Sequence, residues 1–371
     1  MGAPDEKKKW VPDNYSKADL PALLELTRQN YGAVDWADPG YCEWQYEKSP
    51  AGEAVVRVAR EPHSRRVVGQ YLVMPIWMQV DGRKTLATLS LNTLTDAEYR
   101  GRGIFTGLAE LVYQDCASRA ITFTYGFPNQ NSYHGLMNKL RFQDLGNVPL
   151  LVYPLKWGAL AKHSGKFGWL SPLAGLAGGV IAPARRVLRG KVAGDGFRIR
   201  EIREFDTRFD AFWERARNRY ATLVTRDSAY LNWRFIRIPI RKYTVLAAEN
   251  DSGILGYLVW RRTELHGVDT GLIVDFFVDG SEAGDPAGMA LAKRAIEWSE
   301  SAGTAMVGTL SLTHTREFAL LKRAGLWALP PKLAPRAIAL GVRAHREDLA
   351  NLKPIFEMRN WYVTMGDFDA V

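Results

Sequence analysis

Tyr99-Arg100-Gly101-Arg102-Gly103-Ile104-Phe105 is the stretch on which the reading of this 371-residue chain turns. It follows a β-like run at 85–94 and opens a helix-like run at 106–119. A strand that turns through Arg-Gly-x-Gly into a helix suits an anion. The glycines let backbone approach closely, and the first-turn N–H groups of a helix have no intrahelical partner. Those amides and the positive end of the helix dipole form a cradle for phosphate, with Arg100 and Arg102 adding charge. No Gly-Lys-Ser/Thr follows, so this is not a Walker P-loop. The residue three after Gly103 is Thr106, so the third glycine of the dinucleotide fingerprint is missing. On its glycines alone the stretch reads equally as a plain turn between strand and helix.

The flanks decide between those readings. A second strand runs over 120–126, then comes Pro128-Asn129-Gln130-Asn131-Ser132, a polar helix start. Met137-Asn138-Lys139-Leu140-Arg141-Phe142 closes the segment. Over residues 16–154 this succession resembles the GNAT superfamily of acyl-CoA-dependent N-acyltransferases. The closing hexapeptide is similar to the family's Tyr-x-Lys-Leu-Gly-Phe ending. Arg100 and Gly103 fill the first two fixed positions of its Gln/Arg-x-x-Gly-x-Gly/Ala pattern, and Phe105 stands where a small residue is usual.

An internal repeat extends this to the rest of the chain. Asp38-x-x-Tyr41-x-x-Trp44-x-Tyr46-x-x-x-Pro50 recurs as Asp227-x-x-Tyr230-x-x-Trp233-x-Phe235-x-x-x-Pro239. Gly69-Gln70-Tyr71-Leu72-Val73 pairs with Gly256-Tyr257-Leu258-Val259, and Leu140-Arg141-Phe142 with Ala324-Gly325-Leu326. Units of this length are whole domains rather than solenoid repeats. The expected fold is α/β in the α+β sense. It has two tandem GNAT-like domains, each a mixed, mostly antiparallel sheet with helices on both faces. The divisions expected are 1–155, a linker at 156–196, and 197–371. In the first half, 19–31 and 38–48 read as amphipathic and aromatic-rich helices. Residues 54–59, 67–80 and 85–94 read as strands, with Asp81-Gly82 a hairpin signal, and a last strand falls near 148–153. In the second copy, 280–288 stands where the phosphate turn belongs, yet it carries Glu282 and Asp285 and no Arg-Gly-x-Gly. Acids disfavour an anion, so that copy reads as degenerate.

Composition bounds the function. Apolar residues make up 47% and charged residues 24%, as in ordinary globular proteins. Two cysteines, Cys42 and Cys116, are too few for a disulfide framework and lie at no metal-type spacing. No signal-like or membrane-spanning run is visible, so a cytoplasmic location is expected. The net charge of +9 suits polyanionic ligands. No RNA-binding aromatic motif, zinc finger or basic helical stripe accompanies it, so no nucleic-acid partner is expected. Residues 156–194 carry seven Lys or Arg, no acid and several apolar residues. They read as an inter-domain hairpin, with an anionic-membrane contact as the alternative.

The resemblance implies acyl-CoA as donor substrate, acetyl-CoA or a longer acyl-CoA, and no metal. It implies that the backbone of 91–95, including Leu94 and Thr95, pairs with the pantetheine arm. Arg100, Gly101, Arg102, Gly103, Ile104, Phe105 and Thr106 then hold the pyrophosphate. Asn129 and Asn131 either cap the following helix or bind the cofactor amide. The family's tyrosine acid falls at Met137, and a thioether donates no proton. Tyr133 and His134 lie one helical turn earlier and are the substitute candidates, with Asn92 placed to orient the amine or relay its proton. The acceptor implied is a primary amine on a small molecule such as an amino sugar, antibiotic or amino acid, in a monomer or homodimer. The alternatives are a catalytically idle acyl-CoA-binding or interaction module, and a peptide-type ligase using aminoacyl-tRNA.

Overall fold

The computed structural model describes residues 9–156, 196–330, 334, 337–345 and 350–368; the basic segment at 156–194 lies outside them except for its first residue. Contacts divide the chain into two units. One holds residues 1–146, 237–241 and 339–358, and the other holds 147–236, 242–338 and 359–371.

The first unit contains β1 (Val11–Asn14), α1 (Leu20–Tyr31), α2 (Pro39–Glu47), β2 (Val55–Arg60), β3 (Val67–Val80), β4 (Arg83–Thr95), α3 (Ile104–Ser118), β5 (Phe123–Gly126), α4 (Gln130–His134) and β6 (Gln143–Asn147). It also takes a strand from late in the chain, β15 (Ala339–Ala344). Its sheet runs β1-β2-β3-β4-β5-β15-β6. The β4–β5 pair is parallel, as a helical crossover through α3 requires. The pairs β1–β2, β2–β3, β3–β4 and β5–β15 are antiparallel. Between β3 and β4, Asp81 and Gly82 both have positive φ, 47° and 77°, the demand of a type I′ hairpin turn. Helix α3 buries Ile104, Leu108, Val112 and Cys116, one residue per turn, against Val55, Val73 and Tyr71.

The second unit contains β7 (Leu150–Pro154), β8 (Arg198–Ile202), α5 (Thr207–Ala216), β9 (Thr222–Val224), α6 (Ser228–Leu231), β10 (Thr244–Asn250), β11 (Gly253–Leu265), β12 (Val268–Val278), α7 (Gly284–Ser301), β13 (Met306–Leu310), α8 (Arg316–Arg323) and β14 (Trp327–Ala328). Its sheet runs β14-β7-β13-β12-β11-β10-β8, again with one parallel pair, β12–β13, at a helical crossover. The sequence repeat has a physical basis in both units. Asp38 caps α2 by accepting the Tyr41 N–H, and Asp227 caps α6 by accepting the Tyr230 N–H. Tyr41, Trp44, Tyr230 and Trp233 are then buried.

The strand expected near 148–153 exists as β7, but it belongs to the second sheet, where Val307 faces Tyr153. In exchange β15, late in the chain, completes the first sheet, where Val342 faces Tyr125. Periodicity marks a strand without naming its partner. A fragment of residues 1–155 would lack β15 and leave the β5 edge open. We expect it to show no cooperative thermal transition by circular dichroism, whereas the full chain melts sharply.

Candidate functional site

The two central strands of the first unit part company. They pair only at Thr88↔Thr124, Leu89↔Tyr125 and Ser90↔Gly126. Beyond Ser90, β4 continues to Thr95 while paired with β3 on its other side, Gln70 facing Leu94 and Gly69 facing Thr95. A register shift falls between Gln70 and Leu72, and the bulged residue Asn92 has φ 47°. Asparagine is among the few side chains that tolerate this conformation. A buried amide ladder holds it there. Asn92 Nδ2 donates to Gln45 Oε1 at 2.5 Å. Gln70 Nε2 donates to the Asn92 carbonyl at 3.0 Å, and the Tyr46 hydroxyl donates to Gln70 Oε1 at 3.1 Å.

The turn after β4 supplies the cradle. Asp96 accepts the Glu98 N–H and pairs with Arg66 at 2.8 Å, which fixes the exit from the strand. Gly101 and Gly103 then adopt φ 74° and 78°, and a side chain at either would meet nothing within 4 Å. Gly103 is the N-cap residue of α3, and no side chain caps the helix. The first-turn amides of Ile104, Phe105 and Thr106 therefore begin a 15-residue helix with its positive end open. Arg100 donates to Asn30 Oδ1 at 2.7 Å, and the Arg102 guanidinium lies 5.9 Å from the Tyr99 ring centre. Trp10 braces the turn from below, its indole N–H donating to the Arg102 carbonyl at 3.0 Å. No sequence pattern pointed to Trp10 or Gln45, and Gln70 stood out only as part of the internal repeat.

The remaining predicted residues are placed as follows. Leu94 is buried and Thr95 half-buried on β4. The Phe105 ring meets the Tyr71 ring edge-on at 5.6 Å, and a side chain at Gly135 would strike it. Asn129 caps α4, accepting the N–H groups of Asn131 and Ser132 at 2.9 and 3.1 Å. Asn131 is exposed. The Tyr133 hydroxyl donates to Asp144 Oδ2 at 2.5 Å, and that carboxylate raises the phenol's pKa. His134 Nδ1 lies 2.8 Å from Asn138 Nδ2, one turn along the same segment. Met137 packs on β15, where its methyl would be 2.8 Å from a side chain at Gly341. No hydrogen bond among the described residues joins Asn92 to Tyr133 or His134.

Two hydroxyl chains run beneath the sheet. Thr88 Oγ1 lies 2.6 Å from Thr124 Oγ1, which lies 2.8 Å from His345 Nε2. Burial, then the Arg343 charge, depresses the His345 pKa to about 4. Because the folded value lies below the ordinary histidine value of 6.5, its contribution is complete above pH 6.5 and is lost as pH falls toward 4. We expect denaturant titrations to show a loss of up to about 3 kcal/mol over that window, diminished in His345→Gln. The second chain joins Ser90, Tyr71 and Tyr113: Ser90 Oγ to Tyr71 Oη is 2.8 Å and Tyr71 Oη to Tyr113 Oη is 2.5 Å.

In the second unit the corresponding places hold the chain's own groups. β12 and β13 pair only from Thr270↔Met306 to Leu272↔Gly308. Beyond that, the Tyr362 hydroxyl donates to the Phe276 carbonyl and the Thr309 hydroxyl to the Ile273 carbonyl. At the following turn Asp279 accepts the Ser281 N–H at 2.9 Å. A side chain at Gly280 would strike Arg219, and Arg316 donates to the Gly280 carbonyl while pairing with Asp285. This turn presents no Arg-Gly-x-Gly and no uncovered glycine.

The splayed parallel pair and the uncapped, glycine-led helix both lie within the part of the chain that a family model matches. Residues 12–138 match the family model described as an acetyltransferase (GNAT) domain. Similar solved structures include a probable N-acyltransferase from Enterococcus faecalis, with TM-score 0.61, 12% identity, and coverage of 93% of this chain and 74% of that one. A GCN5-related N-acetyltransferase from Anabaena variabilis has TM-score 0.62 at 11% identity, covering 91% and 73%. Saccharomyces cerevisiae N-myristoyltransferase, with bound myristoyl-CoA, has TM-score 0.57 at 13% identity, covering 92% and 79%. At these identities the likeness is one of fold. No curated protein sequence matches the chain significantly. Among the described residues no helix is long and apolar enough to cross a membrane, and no group of His, Cys, Asp or Glu could hold a metal.

Proposed function

We propose that the chain is an N-acyltransferase whose first unit takes an acyl group from acyl-CoA, most simply acetyl-CoA, and passes it to a primary amine of a small molecule. The observation that carries this reading is the open gap between β4 and β5 leading to the uncapped amides of 104–106. The unpaired edge of 91–95 offers backbone groups to the amides of the pantetheine arm, as an added strand would. The amides of Ile104, Phe105 and Thr106 hold the pyrophosphate, and Arg100 and Arg102 neutralise it. Asn92 keeps the bulge in β4, so that a backbone amide there can meet the oxygen of the thioester as it gains charge. Asn129 and Asn131 set the start of α4 at the edge of this cleft. Tyr133 and His134 remain candidate proton carriers, each already engaged in a hydrogen bond. The second unit, its corresponding turn filled by Arg219, Arg316 and Asp279, serves as a scaffold.

A second reading, acyl-CoA binding without transfer, is favoured by Met137 packing on β15 in place of a tyrosine acid. Thiol release separates the two. Purified protein mixed with acetyl-CoA and a panel of amino sugars, aminoglycosides and amino acids is expected to release free thiol with at least one amine. Binding of acetyl-CoA with no thiol release across the panel would favour the second reading.

A further inference from the structure

We propose that Ser90 is the proton donor to the leaving thiolate, aimed by the buried chain Tyr113–Tyr71–Ser90; this rests on the acyltransfer reading above. Tyr113 is 2% exposed, and its hydroxyl has a single hydrogen-bond partner among the described residues, Tyr71 Oη. The Arg343 guanidinium lies over the Tyr113 ring at 4.3 Å, and it carries donors only. A phenol proton buried without an acceptor is costly. Tyr113 therefore donates to Tyr71. The Tyr71 proton then has one place to go, Ser90 Oγ, which accepts it. Had the chain run the other way, the Tyr113 proton would have no acceptor. The polarity is thus fixed, and the Ser90 proton is left with no protein acceptor among the described residues.

Ser90 stands where that proton is useful. Ser90↔Gly126 is the last pair before β4 and β5 part, so it forms the apex of the gap. A pantetheine arm entering from the pyrophosphate turn and running back along 95–91 brings its sulfur toward this apex. Gly126 keeps the apex narrow, since a side chain there would lie 3.3 Å from Ser90 Cβ. As the amine attacks, the new C–N bond forms and the C–S bond breaks, and the electron pair leaves on sulfur. Ser90 gives its proton to sulfur and takes the proton shed by nitrogen. Tyr71, donating to Ser90 throughout, stabilises the hydroxyl as its proton departs. The hydroxyl chain ends as it began. Ser90 is the catalytic residue in this account, and Tyr71 and Tyr113 are positioning residues.

The test measures thiol release with acetyl-CoA and the amine selected above, beside calorimetric acetyl-CoA binding and thermal melting. Ser90→Ala is expected to lower kcat about 100-fold or more while acetyl-CoA affinity stays within about 2-fold. Ser90→Thr, which keeps the hydroxyl, is expected to recover most of the rate. Tyr71→Phe, with Ser90 in place but no longer accepting a hydrogen bond from Tyr71, is expected to lose about 10-fold in kcat with KM little changed. A Ser90→Ala enzyme as fast as the parent would overturn the proposal. So would a 100-fold loss in Tyr133→Phe beside an unaffected Tyr71→Phe. Absence of thiol release from the parent protein would overturn the acyltransfer reading itself, and this assignment with it.

Discussion

Arg226→Met is expected to destabilise the second unit by about 3–5 kcal/mol and to lower its melting temperature by roughly 10 °C. Arg226 is fully buried and pairs with Asp275 at 3.2 Å and Asp367 at 2.8 Å. The Tyr257 hydroxyl and the Thr364 hydroxyl also donate to Asp275, at 2.7 and 2.9 Å. Two carboxylates share one guanidinium, so removing the cation leaves both acids in a dry site facing each other. Burial already holds the Asp367 carboxyl above its ordinary value, and loss of the cation would raise it further. Groups shifted this way contribute more stability as pH falls, so the deficit of the variant should shrink on acidification. Adding Asp275→Asn and Asp367→Asn should recover much of the loss at neutral pH. Scanning calorimetry decides. A change in melting temperature below about 2 °C for Arg226→Met would mean that the two carboxylates are hydrated, against the burial described.

The second large effect concerns the ligand. Gly103→Asp is expected to weaken acetyl-CoA binding at least about 100-fold while melting shifts by only a few degrees. The position has φ 78°, which aspartate tolerates better than most side chains, and open space lies above it. The carboxylate would sit over the first-turn amides as their own capping acceptor and would repel a pyrophosphate. Gly103→Asn has the same shape and no charge, so it separates strain from repulsion. It should retain considerably more affinity than Gly103→Asp. Equal affinity in both variants would place the phosphates elsewhere.

Features whose chemistry is local were legible in the sequence. Arg-Gly-x-Gly announced the turn because Gly101 and Gly103 take the left-handed conformation. Asp81-Gly82 marked the hairpin, and Asp38 and Asp227 marked two capped helices. Features set by partners distant in sequence were not legible. Nothing in Leu150–Pro154 distinguishes a strand of the first sheet from one of the second, because only its neighbours decide. The segment 339–358 likewise gave no sign that it returns to the first unit. The bulge in β4 carries no glycine, and its left-handed residue Asn92 is held by Gln45 and Gln70 from other elements. The Ser90–Tyr71–Tyr113 chain draws on β4, β3 and α3, which meet only after folding. Asn129 caps α4, as its position before a polar helix start suggested.

The most direct test of the account is calorimetric titration of the full chain with acetyl-CoA, longer acyl-CoAs and free CoA, beside Gly103→Asp. The account predicts one acyl-CoA bound per chain, with binding lost in the variant. No binding of any CoA, or equal binding in the variant, would contradict the placement of the donor on β4 and the first turn of α3. Two molecules bound per chain would contradict the reading of the second unit as a scaffold whose turn is filled by its own arginines and acids.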